Sequence, residues 1–168
     1  MELLLKIWKF LRLPTNWQLF FMRRVNDQFL IGVTGVIFDD QDRVLLFRHT
    51  YRNLHSWSLP GGYIKAKEHP KEALEREIEE ESGLVVSADQ RLKLRTDRES
   101  ARIDITYAGK YIGGQFKASN EVKEAQFFSF DSLPKLRSDQ LHFIEMAENL
   151  DKTPNHGTLL EGRESKTA

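Results

Sequence analysis

The sequence predicts an α+β sandwich. Three observations point to it: a strand pair rich in β-branched residues, a strongly acidic helix after it, and further strand-like stretches that lead to a closing helix. Phe29 to Phe38 is the first strand, Asp39-Asp40-Gln41-Asp42 the turn, and Val44 to Arg48 the returning strand. A loop from Thr50 to Lys67 holds Trp57, Pro60, Gly61 and Gly62. The spacing then predicts a helix from Pro70, which suits the first helical position, to Glu81, with Gly83 as its left-handed stop. Further strands are expected near Leu92–Arg98, Ile103–Tyr111 and Ala125–Phe130, with Gly113-Gly114 as a turn between them. A last helix, Ser138 to Leu150, sets Leu141, Ile144 and Met146 against the core.

One domain, residues 26–150, accounts for these elements, and 168 residues suffice for a self-sufficient core. Residues 1–25 form a separate amphipathic segment. Lys6, Lys9 and Arg12 interrupt its apolar run at threes, Pro14 breaks it, and Thr15 or Asn16 could cap a second short helix to Arg24. From 151 to 168 the chain is polar without periodicity, and disorder is expected there. The 25 basic and 25 acidic residues cancel, so net charge predicts no bulk attraction to nucleic acid or to an anionic membrane. The distribution is uneven, because residues 1–24 carry five basic groups and one acid. With Leu3, Leu4, Ile7, Trp8 and Leu11, that segment is expected to pack on the domain itself, on a second copy of the chain, as a homodimer, or on a membrane surface. No cysteine is present, which excludes disulfides, thiolate catalysis and cysteine-ligated zinc. No spanning stretch or signal-peptide pattern occurs, so a cytoplasmic location is expected.

The acidic helix carries the chemistry. Residues 62–84 hold seven acids against four basic groups. Glu77, Glu80 and Glu81 stand at i, i+3 and i+4, so their carboxylates share one helix face beside the apolar stripe of Leu74 and Ile78. Glu72 has Arg76 one turn on and Lys71 has Glu75, but the triplet has no such partner lower in the helix. A hard divalent cation, Mg²⁺ or Mn²⁺, is the natural counter-charge, since it takes oxygen ligands and bridges carboxylates to phosphates. A merely solvated acidic face is the alternative.

The surrounding residues decide between them. Gly62, five residues, Glu68, seven residues, then Arg76-Glu77-Ile78-x-Glu80-Glu81-x-Gly83-Leu84 match the Nudix box at every defined position. The chain thus resembles the Nudix hydrolase (MutT-like) family, through the box and more weakly over residues 28–150. The resemblance implies an α/β/α sandwich with a mixed central sheet, and hydrolysis of a phosphoanhydride bond in a nucleoside diphosphate derivative. It implies that Gly61, through its carbonyl, and Glu77, Glu80 and Glu81 ligate metal or metal-bound water, and that Arg76 orients an acid of the box, Glu68 being the expected partner. The general base is a box glutamate, Glu77 or Glu80, or a carboxylate on a loop before a late strand, where Glu121 matches better than Glu124. A non-catalytic nucleotide-sensing domain is the alternative function, although no box glutamate is missing.

Between the second strand and the box, Arg48 and Arg52 could hold phosphate and Trp57 could stack a base, with a core role the alternative for Trp57. His49 is expected to be structural or exposed. The proline spacing of ADP-ribose-cleaving members is absent, the next proline after the box being Pro134. The downstream arrays of NADH-cleaving and coenzyme-A-cleaving members are also missing. A nucleoside di- or triphosphate remains.

Overall fold

A computed structural model describes residues 14–50 and 57–151. Helix α1 spans Thr15–Val25, and the strands are β1 (Leu30–Phe38), β2 (Val44–His49), β3 (Trp57–Ser58), β4 (Gly61–Tyr63), β5 (Leu84–Asp97), β6 (Arg102–Gly114) and β7 (Val122–Phe128). Helix α2 (Pro70–Ser82) precedes β5, a 3₁₀ turn covers Phe130–Ser132, and α3 (Ser138–Asp151) closes the chain. Strand β1 organises the sheet. It runs parallel to β6 along its whole length, antiparallel to β4, and meets β2 at the Phe38–Val44 pair. β6 returns antiparallel to β5, while β2 lies between β3 and β7. The sheet is therefore mixed.

Period-two alternation sorts side chains to two helix-covered faces. Val33, Ile37, Leu45, Phe47 and Ile105 pack with Ala73, Leu74 and Ile78 of α2. Val36, Val44 and Leu46 pack with Phe143, Ile144 and Ala147 of α3 on the other face. Val44 through Phe47 are wholly buried because β2 is covered on both sides. The result is an α/β/α sandwich, as the sequence predicts.

Several boundaries differ, each for a physical reason. β5 begins at Leu84, directly after Gly83, rather than near Leu92. It is the sheet edge, its later residues are mostly exposed, and three register shifts interrupt its alternation, so no period-two pattern survives in the sequence. The last strand starts at Val122 and stops at Phe128, Phe130 lying in the 3₁₀ turn. Gly113-Gly114 ends β6, with Gly114 at φ 90, and the loop expected over 50–67 contains β3 and β4. Pro14, not Thr15 or Asn16, is the N-cap of α1. On α3 the buried face is Gln140, Phe143, Ile144 and Ala147; Leu141 and Met146 are only half-buried. The apolar segment 1–13 and the tail 152–168 lie outside the described residues.

Candidate active site

Helix α2 owes its position to Leu74 and Ile78, both wholly buried against the sheet. Each contributes about 1.5–3 kcal/mol by burial, which outweighs the roughly 0.2–0.5 kcal/mol of repulsion between acids one turn apart. His69 caps the helix in a reciprocal box with Glu72, Pro70 starts it, and Gly83 ends it at φ 72. The adjoining face presents the acids, and Arg76 ties them together. Its Nε and Nη2 donate to Glu68 at 2.6 and 3.0 Å. Its Nη1 donates to Glu77 at 2.7 Å and Glu80 at 3.0 Å, and its Nη2 also reaches the Tyr63 carbonyl at 3.2 Å. The expected Arg76–Glu68 pair is present. The expectation of an unpartnered triplet is corrected, because Arg76 and, at 3.4 Å, Lys65 neutralise part of it. Glu72 and Glu75 also differ from expectation: they accept from the His69 and Ala88 backbone N–H groups.

This hub sets the local electrostatics. The bidentate bond from Arg76, with a second from the Lys65 backbone, lowers the Glu68 carboxyl to about 2. Arg76 also lowers Glu80, while Glu68 is the main cause of the raised Arg76 pKa. Opposite the hub, a Cβ on Gly62 would lie 2.4 Å from Glu77 Cδ, so only glycine permits that carboxylate to rest on β4.

On the other sheet face, a cleft of about 200 Å³ opens beside the same glycines. Its floor pairs Gly32 and Thr34 of β1 with Asp104 and Thr106 of β6, and Gln140 and Phe143 of α3 form a wall. Asp104, Thr106 and Gln140 are all at most 9% exposed. Nothing in the sequence reading singled them out. The available signal was the alternation Ile103-Asp104-Ile105-Thr106, which buries its apolar set under α2 and turns its polar set to the other face.

The NUDIX domain model matches residues 28–147. The chain belongs to the Nudix family. An ADP-ribose pyrophosphatase of Methanocaldococcus jannaschii is 34% identical over 119 residues, covering 68% of this chain and 70% of that protein. An 8-oxo-dGDP phosphatase of Homo sapiens is 32% identical over 135 residues, covering 76% of this chain and 42% of that one, so the present chain spans less than half of that relative. A solved ADP-ribose pyrophosphatase from Streptococcus suis shares the fold at 23% identity and a TM-score of 0.64, covering 76% of this chain and 96% of that one. The chain is thus a Nudix pyrophosphohydrolase acting on nucleoside diphosphate derivatives, a chemistry the family performs with divalent metal ions.

The Nudix donor set fits such an ion in kind. Ile64 N–H donates to Ile31 and Gly35 N–H to Pro60, so the β1–β4 ladder alternates around Gly62. The carbonyls of Gly61 and Tyr63 then point away from β1, toward the side on which Arg76 meets Tyr63. Glu77, Glu80, Glu81 and the Gly61 carbonyl are hard oxygen donors of the type such ions take. Among the described residues no three acidic or histidine side chains stand close enough together to enclose a cation. Arg76 draws Glu77 and Glu80 onto its own guanidinium instead.

The remaining candidates of the Nudix domain separate by face. Glu121 is an exposed loop residue whose carbonyl accepts from Thr50 N–H, and the next residue, Val122, is wholly buried with Leu74 and Ile78. Glu124 is the cross-strand partner of Arg48 and forms an ion pair with it, on the face that carries Leu46 and Phe128. Arg48 also lies over the Trp57 ring at 5.8 Å, and Trp57 packs edge-on to Phe128 at 4.9 Å. Arg48 and Trp57 thus have intramolecular partners and do not line the cleft, whereas His49, buried at the end of β2, does. Arg52 lies outside the described residues.

Proposed function

We propose that the chain hydrolyses a nucleoside di- or triphosphate, or a derivative, with Mg²⁺ or Mn²⁺ held by Glu77, Glu80, Glu81 and the Gly61 carbonyl. A bound ion would polarise the phosphoryl oxygens and lower the pKa of its water. Arg76 is a positioning residue: it holds Glu68, Glu77 and Glu80 in one array and offsets their charge. Glu121 accepts the proton of the attacking water, which forms one P–O bond as the anhydride P–O bond breaks and phosphate leaves. Arg48 and Trp57 take a structural part, clamping Glu124. The observation that carries the reading is the juxtaposition at β4, where Gly62 lies against the Glu77 carboxylate of α2 and, with Gly61, borders the polar cleft. The M. jannaschii relative's name points to ADP-ribose, and the H. sapiens relative's to an oxidised guanine nucleotide. The missing proline spacing favours the second kind. A screen of nucleoside diphosphates and their derivatives with Mg²⁺ and Mn²⁺, read by released phosphate or pyrophosphate, tests this. Cleavage that stops in chelator supports it, and cleavage undiminished in excess chelator overturns it.

Helix α1 supplies the chain's second contact, and we infer an anionic membrane surface on the cytoplasmic side. None of its residues is buried. Trp17, Phe20 and Phe21 stack on one another at 5.7–6.5 Å while remaining 43–60% exposed. Five basic groups and one acid over residues 1–24 suit anionic headgroups and oppose pairing with a like-charged second copy. No helix of the described residues is long and apolar enough to cross a membrane, so the contact is interfacial. Co-sedimentation with phosphatidylserine vesicles, but not with neutral ones, is expected. A salt-insensitive homodimer that ignores both vesicles would overturn the inference.

A further inference from the structure

The β5–β6 hairpin closes in a turn over residues 98–101, and one of its faces is basic. Residues 93–102 hold Lys93, Arg95, Arg98 and Arg102 against Asp97 and Glu99. Lys93 and Arg95 pair across the strands with Thr106 and Asp104, so they share a sheet face with Arg102. Arg95 and Arg102 both bond the single Asp104 carboxylate, which leaves one of their two charges uncompensated. Lys93 and Arg98 are exposed and make no ion pair with any described residue. Asp97 is engaged inside the turn, where it accepts from the Ser100 hydroxyl and the Glu99 backbone N–H. The hairpin is net positive.

Strand register sets this hairpin beside α1. Leu30 pairs with Arg102, and its N–H donates to the Ala101 carbonyl at 3.1 Å. Five residues lead from Val25, the last of α1, to Leu30, a reach of at most about 18 Å. Among them Phe29 and Leu30 are both 51% exposed, and Leu30 lies on the face of Arg102. The aromatic helix, an apolar strand start and the basic hairpin thus occupy one end of the sheet. The active site lies at that end too. Gly32, two residues on from Leu30, pairs with Tyr63 of β4, and Arg102 lies over the Tyr63 ring at 5.8 Å. Arg95 and Arg102 also line the cleft that borders Gly61 and Gly62.

We propose that Lys93, Arg95, Arg98 and Arg102, with Phe29 and Leu30, form a second foothold on an anionic bilayer, so that the chain docks end-on with its cleft toward the lipid. The assignment rests on the membrane contact of α1 inferred above and adds its partner surface and its orientation. The aromatic face of α1 enters the interface, and the hairpin cations meet the headgroups within a Debye length of it. Charge on an edge strand also discourages pairing with another chain. That need does not explain Arg98, which stands in the turn and guards no edge. A cationic end also repels a second, like-charged copy, so lipid is the fitting occupant.

The chain has no cysteine, so a single introduced thiol reports its own position. A polarity-sensitive fluorophore is placed on Ser100→Cys in the hairpin turn, or on Gln41→Cys in the turn at the opposite end of β1. Each full-length protein is mixed with vesicles of brominated phosphatidylserine or of neutral phosphatidylcholine. On the anionic vesicles the label at position 100 should shift to the blue and be quenched, and the label at position 41 should not change. Lys93→Glu combined with Arg98→Glu should weaken phosphatidylserine binding at least about tenfold. The circular dichroism should stay that of wild type, because both side chains are exposed. Added salt should weaken wild-type binding more than that of the double variant. A silent label at position 100 on vesicle-bound protein, or undiminished affinity in the folded double variant, would overturn the proposal and leave α1 as a lone tether. Absence of binding to either vesicle would instead remove the membrane contact of α1, and this orientation with it.

Discussion

The two faces of the sheet carry different kinds of site. Under α2, every candidate group except Glu121 comes from residues 61–81, and one guanidinium, Arg76, gathers three of the acids. Over α3, the cleft draws Gly32 from β1, Asp104 and Thr106 from β6 and Gln140 from α3, residues more than a hundred positions apart at the extremes. The first arrangement depends on helical spacing and the second on strand register. Chemistry built on a short segment tolerates little change, whereas a pocket assembled from several elements can alter its preference one side chain at a time. Loss of turnover is therefore expected from the α2 side and loss of selectivity from the α3 side.

The largest expected effect lies under α2. Glu80→Gln and Glu81→Gln should each lower turnover by at least about a hundredfold, the scale of one lost transition-state contact. Folding should persist, since Leu74 and Ile78 still hold the helix. Wild-type turnover in both variants would make the acidic face a solvated one and dissolve the contrast between the faces.

Those residues were also the legible ones. The i, i+3, i+4 spacing of Glu77, Glu80 and Glu81 and the helix bounds at Pro70 and Gly83 follow from local rules, and α2 obeys them. The bond from Arg76 to Glu77 was not legible, because helical spacing turns sequence neighbours to different sides, whereas Arg76 and Glu80 stand at i and i+4 and obey the same local rule as Glu72 and Arg76. On the α3 face legibility fails sooner. Asp104 and Thr106 look like the solvent side of a half-exposed strand until the parallel β1–β6 register sets them opposite Gly32 and Thr34. Gln140 is hidden by a one-residue rotation of the buried stripe, which puts it and not Leu141 toward the sheet. Pairing between distant strands leaves no short-range trace.

A middling effect distinguishes two acids three residues apart. The register shift at Arg48/His49 places Val122 and Ala125 on the α2 face, and Glu124 with Arg48 on the other. Glu121→Gln should lower turnover well beyond tenfold with little change in apparent affinity, whereas Glu124→Gln should cost less than about tenfold. If Glu124→Gln is the inactive variant, the division by face is wrong. If neither matters, Glu77 becomes the first choice of base.

The smallest effect concerns pH. Glu68 has a folded-state pKa of about 2, below its ordinary value near 4.5, so its pairing with Arg76 stabilises the fold above that ordinary value. The contribution should fade as pH falls from about 4.5 toward 2. The Tm difference between wild type and Glu68→Gln should shrink over that window, and a constant difference would detach Glu68 from the hub.

We propose that the α2 acids, gathered by Arg76, form the metal-binding half of the enzyme. Mn²⁺ titration followed by electron paramagnetic resonance tests it without substrate or turnover. Wild type should bind the ion, and the Glu77→Gln, Glu81→Gln double variant should bind it at least about tenfold more weakly with an unchanged fold. Equal Mn²⁺ affinity in the two proteins would contradict the account.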